Sequence, residues 1–518
     1  MNIVVGSGPA GVACAAALRK AGAPVLILDA GMELEAELSA RKAALAALEP
    51  EKWSGPDAAF LYPPIAEPGG VPDKLAYGSD FACRPVPGEP PVELNQAALK
   101  PSFAVGGLST VWGAASMPWQ ARDLKGWPVG LAELEAGYRA AAGLMPLAGV
   151  VDDLAESFPF YDAPRPPVAL SRQAEGALKT LTRNRTALAA RGLSFGRARL
   201  AMDASRCATC GLCLRGCPRD LIFSTRGALD DLRAGGASYQ SRILVRAVEE
   251  TPNGVIVRGT TRDGATLSIE GQRVFLAAGV VSTTEIMLRS LGWRDRAVEI
   301  MDSQYFVVPV ARASGAGDVR AERLHTLSQI FLELNDASVS PHTMHMQLYS
   351  YNDMIGAALD AKLGPLSRSG LGTMLLGRLM ALQGYLHSDQ SGRIAARLIG
   401  AGDGRMSLTG SMSDRARAGV SLLIGKLLRL APRSGLLPLP PLAEIPAPGR
   451  GFHSGGSFPM ARDPRMGQCD IWGRPHGYSR VHLADASTFP SIPTPTITFS
   501  AMANAWRIGA AATRSFSE

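Results

Sequence analysis

The chain has 518 residues, more than one compact domain ordinarily holds, so two or three subdomains sharing a large core are expected. Hydrophobic residues at 46% and charged residues at 19% make an ordinary globular balance. A net charge of +7 over this length is too mild to mark a nucleic-acid binder, and it suits an anionic membrane, an anionic substrate or an acidic electron-transfer partner no better than simple solubility.

In chain order, Asn2-Ile3-Val4-Val5 reads as a short buried strand that leaves no room for a secretory signal. Gly6-Ser7-Gly8-Pro9-Ala10-Gly11 follows, then a small-residue helix from Val12 to Leu18, then the apolar run Pro24–Leu28 ending at Asp29-Ala30. Strand, glycine turn, helix, strand and acid in this order define a dinucleotide site. Gly6 permits the tight turn, Gly8 lets the backbone approach a pyrophosphate, and Gly11 lets the helix lie close on the sheet. The helix N-terminus at Pro9 and Ala10 offers N–H groups and a positive dipole end to phosphates. Asp29, with Ala30 beside it, can accept a hydrogen bond from a ribose hydroxyl. The pattern alone does not separate FAD from NAD. Cys14 falls on the packed face of the helix and is read as a small core residue.

Residues 36–100 are proline-rich, and Leu131, Leu134 and Tyr138 predict a helix over 131–145. Segments near 243–248 and 254–259 alternate apolar and polar residues as in a meander, with Val248 a candidate cofactor contact. Residues 304–312 and 328–350 read as strands of a substrate domain. Residues 355–440 are rich in Leu, Gly and Arg. Ala418–Leu430 and the stretch opening at Leu371 are helix candidates there, read first as covers of a substrate cavity and second as a peripheral membrane contact or apolar-substrate lid. No apolar stretch is long enough to span a bilayer, since Arg378, or Lys426 and Arg429, interrupt the longest. The expected location is therefore cytoplasmic, at most membrane-peripheral.

Of seven cysteines, four crowd into Cys207-Ala208-Thr209-Cys210-Gly211-Leu212-Cys213-Leu214-Arg215-Gly216-Cys217-Pro218, while Cys14, Cys83 and Cys469 are scattered. This is no disulfide framework. Its C-x2-C-x2-C-x3-C-P spacing is the ferredoxin-type ligand run, whereas zinc ribbons separate two C-x2-C pairs by a longer gap. An iron–sulfur cluster on Cys207, Cys210, Cys213 and Cys217 is expected. Four irons are favoured, completed by Cys217 locally or by Cys83 or Cys469 from afar, and a three-iron cluster stays open because it needs only three thiolates. The flanking Asp203, Arg219 and Asp220 predict a solvent-facing insertion.

Three segments resemble the glucose–methanol–choline (GMC) oxidoreductase family: Gly106-Gly107-Leu108-Ser109-Thr110-Val111-Trp112-Gly113, Val274–Gly279 with Ser282–Thr284, and a C-terminal block from His453-Ser454-Gly455-Gly456-Ser457 through Val481–Ser487 to Pro495-Thr496-Ile497-Thr498. The resemblance implies FAD as cofactor. It implies that Gly106, Gly107, Ser109, Thr110, Trp112 and Gly113 line the flavin ring and that Ala278 and Gly279 close the FAD domain. It also places Asp485, Ala486, Pro495 and Thr496 near the phosphates or ribityl chain. Val111 stands where some members attach flavin covalently through His, so a non-covalent flavin is expected. By the same resemblance His453 is the base that takes the hydroxyl proton while hydride passes to flavin, a role suited to an imidazole of ordinary pKa near 6.5. The family's second His or Asn falls on Thr494, which can give and accept a hydrogen bond but cannot act as a second imidazole. His482 is read as structural, and His342 and His345, without an evident third ligand, are not read as a metal pair.

The resulting expectation is an α/β chain with a Rossmann-like FAD-binding domain of the kind the GMC family and p-hydroxybenzoate hydroxylase share, a mixed-sheet α+β substrate domain and a small iron–sulfur insertion. The FAD domain takes 1–150, 226–300 and 466–518, the substrate domain 151–200 and 301–465, and the insertion 201–225. The expected activity is oxidation of a small-molecule alcohol (sugar, glycoside or lipid-like) with single electrons exported to a quinone, cytochrome or ferredoxin-like acceptor. Alternatives are a reductase of a double bond, which needs no His453, and a non-catalytic electron-transfer subunit. No nucleic-acid partner is expected.

Overall fold

Asn2–Val5 and Val25–Leu28 are buried at every position, the signature of strands covered on both faces. In the computed structural model, which describes residues 1–61, 75–294, 296–400 and 404–514, they pair in parallel about the helix Pro9–Lys20. Residues 62–74 of the proline-rich 36–100 segment lie outside the described residues. The parallel sheet has five strands in the order Val481–Leu483, Arg273–Leu276, Asn2–Val5, Val25–Leu28 and Ser238–Gln240. The antiparallel meander of Ile243–Thr251, Gly254–Thr261 and Thr266–Gly271 is separate from it. The helices Leu131–Leu144 and Thr498–Arg514 pack against each other, and Thr498–Arg514 also packs on Pro9–Lys20.

A second sheet is wholly antiparallel: Leu436–Pro438, Tyr305–Arg312, Leu379–Tyr385, Met344–Tyr349, Ile330–Leu334 and Leu193–Arg197. Strand periodicity decides what each face does. Phe306, Val308, Val310, Met346 and Leu382 point to one side, where Val420, Leu423, Leu427 and Leu430 of the helix Asp414–Ser434 bury against them. Tyr305, Gln347, Tyr349, Gln383 and Tyr385 point to the other side, into a cavity. The basic apolar helix expected over 418–430 turns its apolar stripe inward, but onto the sheet face opposite the cavity, so it backs the sheet instead of covering the cavity as expected. No helix among the described residues is long and apolar enough to cross a membrane.

A third, mixed sheet runs Ser454–Gly455, Val298–Asp302, Arg393–Ile399, Arg405–Ser411 and Glu93–Asn95. Its first strand follows His453 directly, and its pairing of Ser454 with Asp302 fixes where that residue stands.

His482 lies at the edge of the parallel sheet. Its ring stacks on Phe275 with centroids 4.7 Å apart, and its Nδ1–H donates to the Trp472 carbonyl at 2.9 Å. Burial holds the imidazole neutral, its pKa down at about 4. Because the unfolded chain takes up this proton near pH 6.5 and the folded chain only near 4, stability present at neutral pH is lost as pH falls through that window. His482 alone should cost about 2 kcal/mol between pH 7 and pH 5. His482→Asn keeps an N–H for the Trp472 carbonyl but does not titrate. Its denaturant-unfolding free energy should therefore fall less between these pH values than that of the wild type, and equal slopes would contradict the assignment.

Candidate active site

The nucleotide turn is built by close backbone approach. Gly6 has φ +102°, and a Cβ there would lie 2.5 Å from the Ala277 carbonyl oxygen. A Cβ on Gly11 would lie 2.0 Å from the carbonyl oxygen of Gly6. Only glycine fits either position. Gly8 caps the helix Pro9–Lys20 without a side chain, so the helix N-terminus opens directly to the cavity. Asp29 lines the same cavity, and its carboxylate accepts the N–H groups of Ser7 at 2.8 Å and Gly31 at 2.7 Å. Burial raises its pKa above the usual carboxylate range, against the pull of those hydrogen bonds.

The second glycine segment meets this turn. The Gly106 N–H donates to Ser7 Oγ at 2.9 Å, and a Cβ on Gly107 would stand 3.3 Å from the Cα of Gly8. Thr225 locks the junction by donating to the Ser7 carbonyl at 2.8 Å. The resemblance implies a place at the flavin ring for this pair; in the structure it packs against the Gly6–Gly11 turn, and Gly107 lines the cavity. Further along, Ser109, Thr110, Trp112 and Gly113 line the cavity. The Trp112 indole is fixed by donating to the Phe223 carbonyl at 2.8 Å.

The cavity measures about 1410 Å³, above the 300–1,000 Å³ of most small-molecule pockets, so it has room for a dinucleotide and a substrate together. Pro9, Ala10, Ala30, Ala278 and Gly279 lie on its wall, as do Asp485, Ala486 and Thr496. Asp485 is a tie rather than a loose acid: it accepts from the Gly279 N–H (2.9 Å), the Thr283 hydroxyl (2.6 Å) and the Ser487 N–H (2.9 Å). Gly11, Gly106, Val248, Thr494 and Pro495 stand outside the lining. Val248 sits on the meander, its N–H bound to Ser290 Oγ.

His453 lines the cavity, stacked on Tyr385 with ring centroids 4.2 Å apart. Its loop is pinned by its neighbours. Asp302, fully buried, accepts from the Gly449 N–H at 3.0 Å and the Ser454 hydroxyl at 2.8 Å, and the Ser303 N–H donates to the His453 carbonyl at 2.9 Å. Burial pushes the Asp302 carboxyl up to about 6. Thr494, by contrast, is turned away. Its hydroxyl donates to the Thr343 carbonyl at 2.7 Å and accepts the His345 N–H at 3.2 Å, so the short side chain is spent on the neighbouring strand.

Sequence reasoning missed the polar wall opposite. In Met344-His345-Met346-Gln347-Leu348-Tyr349 every second residue is polar, and that alternation was the available signal. His345 is fully buried and pairs with Glu333 at 2.5 Å. His342 goes elsewhere, to Asp389 at 3.1 Å, and stacks on His387 with centroids 3.6 Å apart and planes 8° from parallel. Potential ligand atoms of His342, His387 and Asp389 lie within 4.8 Å of one another. The two rings lie face to face, so their lone pairs run parallel instead of converging on one ion.

The cysteine run coils through positive φ at Thr209 (48°), Gly211 (78°) and Gly216 (102°). A Cβ on Gly216 would strike the Tyr77 ring at 2.7 Å. The run is half-buried and braced on several sides, which corrects the expected solvent-facing insertion. Tyr77 donates its N–H to the Arg215 carbonyl at 2.7 Å and its hydroxyl to that of Cys217 at 3.2 Å, Thr326 bonds Leu214 and Gly211, and Arg215 pairs with Asp353 at 2.6 Å. Burial raises the Cys207, Cys210 and Cys213 thiols, Cys213 up to about 12, and the charge of neighbouring sulfurs in the run adds to the rise. Cys213 and Cys217 border the large cavity. Cys469 is committed elsewhere, its thiol donating to the Phe458 carbonyl at 3.0 Å.

Fold and site together define a Rossmann-type dinucleotide-binding chain with a histidine-bearing C-terminal segment. Residues 4–34 match the family described as NAD(P)-binding Rossmann-like domain, and residues 447–505, which include His453, match GMC oxidoreductase. Among solved structures, pyridoxine 4-oxidase from Mesorbium loti is similar over 100% of this chain and 99% of its own, with a TM-score of 0.61 at 15% identity, a likeness of fold. None of the curated proteins matches.

Proposed function

We propose that the chain is a FAD-dependent dehydrogenase that oxidises an alcohol group and exports the electrons singly through an iron–sulfur cluster. The observation that carries this reading is one continuous cavity, lined by the nucleotide turn from Gly6 to Ala10, by His453, and by Cys213 and Cys217. FAD fits the cradle: the open helix terminus and bare Gly8 suit a pyrophosphate, and Asp29 keeps lone pairs for a ribose hydroxyl. When bound, it supplies the acceptor for hydride. His453 takes the hydroxyl proton on an imidazole nitrogen, and the stack on Tyr385 orients the ring. Cys207, Cys210, Cys213 and Cys217 hold the cluster as thiolates, and the positive-φ turns let them surround a compact core. The GMC match over 447–505 and the likeness to a pyridoxine 4-oxidase support alcohol oxidation. The cavity wall joins the hydroxyls and carboxamides of Tyr305, Gln383 and Tyr385 to apolar Met354, Ile355, Leu359 and Leu442, which favours an alcohol with a bulky apolar part.

The test is an anaerobic titration of the purified flavoprotein with sugars, aromatic alcohols and long-chain alcohols, followed by flavin absorbance. Bleaching by one of these classes is the expected result. A flavin that none of them bleaches, while dithionite still does, would overturn the reading.

A further inference from the structure

Gln347 is 2% exposed and lies on the cavity face of the Met344–Tyr349 strand, opposite Gln383 in the register. Tyr385, on which His453 stacks, follows Gln383 by two residues on the same face, and accepts a hydrogen bond from the Gln383 carboxamide at 2.8 Å. Gln347 and His453 thus face one stretch of cavity. On the far side of Gln347, Tyr349 reaches the flavin-lining segment: a Cβ on Gly113 would lie 3.6 Å from its hydroxyl oxygen.

The orientation of the Gln347 carboxamide follows from proton counting. Burial raises the Glu333 pKa against the pull of His345; as a carboxylate Glu333 can only accept, and His345 Nδ1, 2.5 Å away, then carries the hydrogen. In the tautomer with its hydrogen on Nδ1, Nε2 offers a lone pair, and the Gln347 amide nitrogen 3.1 Å away donates to it. The amide oxygen, on the other side, accepts from the Tyr349 hydroxyl at 2.9 Å. One N–H of the carboxamide is used on His345. The other remains for the cavity. Glu333 and His345 are 3% and 0% exposed in their side chains and stand directly across from each other in the register, so water does not compete for this chain of bonds.

An alcohol oxygen that gives up its proton gains negative charge as the reaction proceeds, and a fixed donor aimed at it is worth most in a dry site. Thr494 is turned away. We propose that Gln347 is the second hydroxyl-binding group of the active site, donating its remaining N–H to the substrate oxygen, and that the buried Glu333–His345 pair acts as a positioning device that keeps nitrogen rather than oxygen toward His345. The proton leaves on His453, and Gln347 keeps both of its hydrogens. This rests on the alcohol-oxidising reading above.

The experiment uses holoenzyme and the alcohol of the panel that bleaches the wild-type flavin fastest. Gln347→Leu should lower the limiting rate of flavin reduction about 100-fold, the cost of removing one such donor, with FAD content and melting temperature kept. Gln347→Glu keeps the size and the bond to Tyr349, yet leaves no free donor: ionised it has none, and protonated it spends its single O–H on His345. It should be at least as slow. Glu333→Gln releases the tautomer of His345 and should slow the limiting rate severalfold, but cost nothing further in the Gln347→Leu background, an outcome that a merely structural Glu333 does not produce. Wild-type rates in both Gln347 variants overturn the inference and leave the alcohol reading intact. A wild type that no alcohol bleaches overturns both.

Discussion

His453→Ala leaves FAD and iron bound and lowers the rate of alcohol-driven flavin reduction by about 100-fold to 10,000-fold, the range that a positioned base contributes. The clean separation of binding from chemistry follows from how the loop is held. Gly449, Ser454 and the His453 carbonyl are tied to Asp302 and Ser303 through bonds that do not involve the imidazole. Removing the ring deletes the proton acceptor and the stack on Tyr385 but leaves the backbone path of 449–455 in place. Anaerobic rapid mixing with alcohol measures the rate, and the absorbance ratio of flavin to protein measures the bound cofactor. Reduction at a near-normal rate would remove His453 from the role of base. Loss of FAD together with activity would show that the residue instead supports the cofactor cradle.

Cys213→Ala gives the second large effect, on a different half of the reaction. Cys213 borders the cavity, and burial pushes its thiol up to about 12 with no cation to offset it. Without it the run keeps three thiolates and loses one of the four ligands of a four-iron core. Iron and acid-labile sulfide should fall to a small fraction of the wild-type content. Reduction of a one-electron acceptor by alcohol should fall at least about tenfold, because the flavin would have lost its neighbouring single-electron carrier. Flavin bleaching by the same alcohol under anaerobic conditions should stay within about twofold, since the base and the donor wall are untouched. A purified wild type holding zinc in place of iron, or acceptor reduction unchanged in the variant, would sink the export route.

Local pattern carried a good part of this site. Gly6, Gly8, Gly11 and Asp29 could be read because a nucleotide turn is contiguous and each glycine answers to a nearby backbone contact. The cysteine spacing and the glycine-rich stretch about His453 are contiguous in the same way, and the structure sets Cys213, Cys217 and His453 on the cavity wall. The reading weakened where a side chain's direction depends on a partner far along the chain. Thr494 looked like a second polar group in sequence, but the carbonyl of Thr343 and the N–H of His345, about 150 positions earlier, claim its hydroxyl. The glycine pair at 106–107 reads as ring-lining backbone, and its ties to Ser7 and Thr225 on distant elements are not visible in the sequence.

The sequence by itself determined the strand–turn–helix that can cradle a dinucleotide, the thiol spacing and the histidine loop, because these depend on φ, on hydrogen bonds between near neighbours and on alternation along one strand. Only the tertiary structure decided that Cys213 and Cys217 adjoin the same cavity as His453, that the 414–434 helix turns its apolar stripe inward, and that Gln347 lines that cavity beside Gln383. The physical reason is that a cavity is formed between sheets. Its wall collects alternate residues from strands whose neighbours are set by register, and no spacing along the chain records which strands lie side by side.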